Sequence, residues 1–164
     1  MLDSTTYASM LFLSPKNDHH EAVQWLDTLA RLSQTKKQLL KNIASTELSK
    51  LLQSSSCPTH IVEWIHMVAK NRDLSLLPRI NASYRRLLMQ SGIDLIEATT
   101  PKENPVVNAS LRRAFGAEAV IVHHTDPGLM AGIRITTPTH SYEYSVQSQL
   151  DQLRAIIADE ERTM

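Results

Sequence analysis

The first 91 of the 164 residues contain no glycine. Glycine supplies the positive-φ turns of hairpins and tight strand connections, so its absence argues against hairpins in that stretch and favours helices. All four glycines, Gly92, Gly116, Gly128 and Gly132, fall late, among runs of β-branched residues. Cysteine is nearly lacking as well. The single Cys57 excludes a disulfide framework and fits a reducing, cytoplasmic setting. Aromatic residues make up only 5%, so aliphatic side chains must supply most of the core. No segment approaches the ~18 consecutive apolar residues of a membrane span, and no direct membrane insertion is expected. Met1–Leu13 lacks the basic start and long apolar run of a secretory signal. Net charge is zero, without the strong basic excess that nucleic-acid binding usually requires. Hydrophobic residues at 42% exclude wholesale disorder.

Charge and backbone chemistry divide the chain. Residues 1–91 carry 11 Lys+Arg against 7 Asp+Glu (+4), and residues 92–164 carry 6 against 10 (−4). The simplest cause is two differently solvated faces. A boundary is expected at Ser91–Gly92, giving a helical domain over 1–91 and an α/β domain over 92–164. In the first, apolar residues recur at helical spacing. Tyr7–Leu13 forms one segment. Ala22, Trp25, Leu26, Leu29 and Leu32 form a second, with Asp18 as N-cap. Leu39, Leu40 and Ile43 mark a third, and Leu48, Leu51 and Leu52 a fourth. Ile61, Trp64, Ile65 and Val68 follow Pro58, which is tolerated at a helix start. A last segment holds Leu77, Ile80, Tyr84, Leu87 and Leu88 and stops at Gly92. These six short helices must pack on one another to be stable.

The second half changes period. Strands are expected at Ile93–Thr99, Ala119–Val122, Met130–Thr136 and His140–Tyr144. A helix is expected from Pro105 to Phe115, a turn at Asp126-Pro127-Gly128, and a terminal helix striped by Val146, Leu150, Leu153 and Ile157. The fold class is therefore α+β: a six-helix bundle followed by a small α/β domain.

The chemistry of an active site is missing. The sequence has no GxxxxGK[ST], GxGxxG or GxSxG. Cys57 opens a helix with no evident partner base, and a structural role is expected. The seven histidines do not fall into a metal-binding pattern. His19–His20 and His123–His124 are adjacent and point apart, and His60 and His66 are not at the i, i+4 spacing of a helical metal pair. No cofactor, metal or catalytic residue is expected. What remains is apolar surface. Tyr7, Met10, Leu11 and Leu13 in the first helix, with Trp64, Met67 and Val68 in the fifth, are large side chains on short helices, and short helices in a bundle leave grooves that accept a partner helix. The alternative is a small cytoplasmic enzyme or ligand-binding domain using the α/β half. It requires a pocket with converging polar groups there.

Three ordered stretches carry a family resemblance. Asp126-Pro-Gly-Leu-Met-Ala-Gly132-Ile133 is followed by Tyr142-Glu-Tyr-Ser145-Val146 and by Leu150-Asp-Gln-Leu153. Earlier come Asn71-Arg72 with Leu77-Pro78-Arg79-Ile80, and at the start Tyr7-Ala8-Ser9-Met10-Leu11-Phe12. Together they resemble the delta subunit of bacterial F-type ATP synthase, the family of the mitochondrial oligomycin-sensitivity-conferring protein, over nearly the whole chain. The sequence departs from the family's pattern where Glu143-Tyr144 replaces Asp-Gly.

The resemblance implies a non-catalytic stator subunit of a multi-subunit complex that makes ATP from a proton gradient, lying peripherally on the cytoplasmic face of the bacterial inner membrane. It implies two partners. The N-terminal helix of an alpha subunit would lie between the first and fifth helices, against Tyr7, Met10, Leu11, Ile61, Trp64, Ile65 and Val68. The C-terminal ends of the b-subunit stalk would be held by the second domain, whose family-motif residues here are Asp126, Gly132, Ser145, Val146, Leu150 and Leu153.

Overall fold

A computed structural model describes residues 2–36, 43–102, 105–129 and 131–145. The chain is α+β and divides into two compact units, Met1–Gly92 and Ile93–Met164. The described residues of the first hold five α-helices: α1 (Ser4–Phe12), α2 (His19–Thr35), α3 (Ser45–Ser54), α4 (Thr59–Lys70) and α5 (Leu77–Gln90). A 3-10 turn at Leu74–Leu76 leads into α5. Ile43 lies in a bend, and Leu39 and Leu40, which mark the third expected helix, lie outside the described residues.

Capping explains where these helices begin and end. The Asp3 carboxylate accepts from Thr6 N–H at α1, and Asp18 accepts from His20 and Glu21 N–H at α2, so both tie down donors that a helix start leaves unpaired. Left-handed backbone nevertheless occurs at two sites in this glycine-free stretch, Ser56 (φ 60°) and Arg72 (φ 62°). Each sits just past a helix end. Ser56 N–H donates to Gln53 O and Cys57 N–H to Leu52 O; Arg72 N–H donates to Ala69 O and Asp73 N–H to Val68 O. These paired bonds satisfy the last carbonyls of α3 and α4, and they offset the cost of about 1–2 kcal/mol that a Cβ incurs in this conformation.

α5 is the central helix of the unit: α1 and α2 both pack against it, while α3 packs against α4. Its Tyr84 is fully buried. The Tyr84 hydroxyl accepts from Asn17 Nδ2 and lies 2.8 Å from His19 Nδ1. Burial pushes this phenol up to about 12. Tyr7 of α1 makes the corresponding tie on the other side. Its hydroxyl donates to Asp73 Oδ2 at 2.8 Å and accepts from Asn71 Nδ2 at 2.8 Å. Asp73 is 2% exposed, so this bond is what its carboxylate has in place of water. Tyr7→Phe should therefore lower stability by about 1–3 kcal/mol, mainly through the carboxylate left without its donor. A thermal melt of the full chain checks this; an unchanged midpoint would show that the bond carries nothing.

The second unit is a four-stranded sheet in the order β2-β1-β3-β4, from β1 (Leu95–Thr100), β2 (Val120–Thr125), β3 (Gly132–Thr136) and β4 (Ser141–Ser145). β1 and β2 are parallel, joined by helix α6 (Pro105–Phe115); β1–β3 and β3–β4 are antiparallel. The crossover is required because parallel neighbours cannot be linked by a hairpin. α6 presents Leu111 to Ile96, Ala98 and Ile121, with Val107, Ile133 and Ile135 around them. Leu95, Val120 and Val122, alternating with Ile96 and Ile121, are also buried. The terminal helix expected from Val146, Leu150, Leu153 and Ile157 lies outside the described residues.

Candidate functional site

α1 and α4 touch over only a few residues, fewer than α1 shares with α5. Trp64 bridges them, its indole N–H donating to the Tyr7 carbonyl at 3.1 Å. Beside this bridge lies a groove of about 270 Å³, lined by Met10, Leu11, Ser14, His60, Glu63, Trp64 and Met67. Its floor is apolar, and Glu63 is an exposed anion on its wall. On α4 the lining follows i, i+3, i+4, i+7: His60, Glu63, Trp64, Met67.

Seven residues on these helices were expected to line the groove, and the structure brings three of them to it: Met10, Leu11 and Trp64. Met10 is 45% exposed, whereas Leu11 and Trp64 are almost covered and form the base. Tyr7, Ile61, Ile65 and Val68 are buried in the unit itself. They hold the groove's helices in place from beneath. His60, Glu63 and Ser14 escaped notice in the sequence because they are polar. The signal that could have found His60 and Glu63 was their helical spacing from Trp64 and Met67; Ser14 lies past the end of α1 and follows no such spacing. His60 Nε2 is buried and has no hydrogen-bond partner among the described residues.

In the second unit the family-motif residues shape the backbone. Asp126 Oδ1 accepts from Gly128 N–H at 2.9 Å, and the Asp126 carbonyl accepts from Leu129 N–H, which closes the expected turn. Gly132 pairs with Ser145 across the β3–β4 hairpin. Ser145 is buried, and its hydroxyl donates to Glu143 Oε1 at 2.8 Å. The Arg134 guanidinium, 2.9 Å from Glu143, is the main cause that holds this exposed carboxyl below its usual range, with Ser145 adding to it. Val146, Leu150 and Leu153 lie outside the described residues.

Other groups have structural surroundings. Cys57 is buried, and desolvation, with Glu21 adding to it, pushes its thiol up to about 11. A thiol in that state is a poor nucleophile at neutral pH. Among the described residues no three His, Cys, Asp or Glu side chains form a group that could hold a metal ion. Among them, too, no helix is long and apolar enough to cross a membrane.

Known proteins match this chain along nearly its full length. The delta subunit of ATP synthase from Polaromonas sp. (strain JS666 / ATCC BAA-500) is 26% identical over 164 residues, covering 92% of this chain and 93% of the relative. That of Hydrogenovibrio crunogenus (strain DSM 25203 / XCL-2) is 25% identical over 168 residues, covering 93% and 94%. A chain in the cryo-EM structure of the Toxoplasma gondii mitochondrial ATP synthase hexamer aligns with a TM-score of 0.48 at 13% identity, over 96% of this chain and 98% of that one. The family model of the ATP synthase delta (OSCP) subunit matches residues 4–157, from the first residue of α1 through both compact units. The chain belongs to the ATP synthase delta (OSCP) subunit family.

Proposed function

We propose that this chain is the non-catalytic stator subunit that joins the alpha/beta catalytic head of a bacterial F-type ATP synthase to its b-subunit peripheral stalk. The observation that carries this reading is a family match that runs unbroken across both units. A joint between two bodies is served by two separate contact regions, and the chain's two compact units suit that role. The helical unit receives the N-terminal helix of an alpha subunit in the α1–α4 groove, whose apolar floor suits the apolar stripe of an amphipathic helix. The α/β unit holds the C-terminal ends of the b subunits. The chain is then a peripheral component on the cytoplasmic face of the membrane, serving proton-driven ATP synthesis without chemistry of its own. Torque resistance asks for durable contacts. A groove-bound helix burying roughly 800 Å² per side reaches the standard interface size.

A stator joint has a distinctive loss of function. Membrane vesicles stripped of this chain should continue to hydrolyse ATP, because the head remains catalytic, but should lose ATP-driven proton uptake, because the head turns idly with the rotor. Adding back the purified full chain should restore uptake. Proton uptake that persists without the chain would overturn the proposal.

A further inference from the structure

Among the described residues that line the α1–α4 groove, Glu63 is the one carboxylate, and neither lysine nor arginine is present. Helix α1 carries no charged side chain, and α4 carries only Glu63 and, at its last position, Lys70. The unit's own fold gives this acid no partner. Its carboxylate makes no hydrogen bond or ion pair among the described residues. The positions one helical turn away on α4, Thr59, His60, His66 and Met67, hold no lysine or arginine, so no i, i+3 or i+4 charge pair supports it. It also lies past the first turn of α4, where the helix dipole favours an anion.

Charge complementarity then selects the occupant. Glu63 stands one turn before Met67 on the same stripe of α4 and next to Trp64, and all three line the groove. A helix that covers Trp64 and Met67 also takes water from the Glu63 carboxylate. An apolar stripe alone would leave that charge desolvated and unpaired, a cost that opposes binding. A cation on the occupant offsets it.

We infer that the groove selects a partner helix bearing a lysine or arginine at the edge of its apolar stripe, and that Glu63 is the residue that reads this cation. The inference rests on the proposal that an alpha-subunit helix lies in the groove, and it adds what that helix must carry. Apolar burial supplies the attachment. The Glu63 contact sets the register of the helix and rejects one with an acid at that place, since like charges would face each other. Once covered by the bound helix, the pair is screened far less than a surface pair, so the affinity still changes little with salt.

The test titrates the full chain with a synthetic peptide of the alpha N-terminus, and with versions in which each lysine or arginine is changed singly to glutamate. Glu63→Lys should stay folded by circular dichroism, because Glu63 is an exposed side chain. It should bind the unaltered peptide at least ~10-fold more weakly, since two cations then meet. One charge-reversed peptide should bind wild type weakly and bind Glu63→Lys at least ~10-fold more tightly than the unaltered peptide does, a rescue that isolates the pair in a double-mutant cycle. Met10→Asp, on the other wall, tells the two proposals apart. If it weakens binding while Glu63→Lys does not, or if no charge-reversed peptide recovers affinity for Glu63→Lys, this inference is overturned and the alpha helix keeps its place in the groove. If the peptide does not bind wild type, or binds both variants as it binds wild type, the assignment of the groove to the alpha helix fails, and this inference with it.

Discussion

Replacing Gly132 with valine should unfold the C-terminal unit and leave the helical unit folded. Gly132 has φ 113°, a conformation open to few residues other than glycine. A Cβ built there would overlap the carbonyl oxygen of Tyr144 and lie 2.6 Å from Ser145 Cα. Both obstacles are backbone atoms of the paired strand β4, so no side chain can swing aside. To admit even one methyl group, β3 and β4 must separate at the end of the hairpin where Gly132 faces Ser145. Strained backbone costs about 1–3 kcal/mol by itself, and the lost pairing and the exposure of buried Ser145 add to it. Small domains have total stabilities of about 5–15 kcal/mol, and a four-stranded unit of this size belongs near the lower end.

Gly116 supplies the control. It also has positive φ, 96°, but a Cβ there meets nothing within 4 Å. Gly116→Ala should incur backbone strain alone, about 1 kcal/mol, and remain folded. Limited proteolysis of the full-length Gly132→Val protein should leave a resistant fragment close to residues 1–92 and degrade the rest, with loss of the β contribution to far-UV circular dichroism. A variant as resistant as wild type would mean that the β3–β4 hairpin relaxes around the side chain. It would also mean that Gly132 is not the hairpin's structural requirement.

Gly132 also shows how much the sequence disclosed. The glycine could be singled out by its place in a family motif, but the reason for it, a carbonyl of a strand 12 residues on, depends on register. Local patterns were readable where one period dominated. The stripe from Ala22 to Leu32 lies within α2, and Pro105 and Phe115 are the ends of α6. Strand positions were readable to within a few residues. Their order, β2-β1-β3-β4, was not, because it is set by a helical crossover and a hairpin whose strands meet only in space. The left-handed backbone after α3 and α4 was not legible, because Ser56 and Arg72 do there what glycine usually does.

The candidate groove was half legible for a similar reason. α4 has a wide apolar face, with Ile61, Val62, Trp64, Ile65 and Val68 all buried. On a helix of 12 residues with so wide an apolar face, spacing identifies what is buried but not against which neighbour. The bond from Tyr7 to Asp73, 66 residues away, was beyond any local pattern.

That distinction separates two substitutions which look alike in the sequence. Ile65→Asp should unfold the helical unit. Ile65 has no exposure, and an aspartate there would be an unpaired charge or a protonated acid in an aliphatic core, costing several kcal/mol on top of the lost packing. Met10→Asp should leave the unit folded, because nearly half of Met10 faces solvent. Met67→Asp, on the opposite wall of the groove, should also leave it folded, since Met67 is only partly buried. If an alpha-subunit helix lies in this groove, both methionine variants should bind a synthetic peptide of the alpha N-terminus at least ~10-fold more weakly, since each puts a charge where apolar surface is to be covered, in a groove that already carries Glu63. Wild-type binding should change little with salt, because apolar burial at roughly 25 cal/mol per Å² is not screened. Circular dichroism on each variant separates lost folding from lost binding. Folded Met10→Asp and Met67→Asp proteins with wild-type affinity would place the alpha helix on another face of the unit, since a helix seated between α1 and α4 cannot avoid both walls.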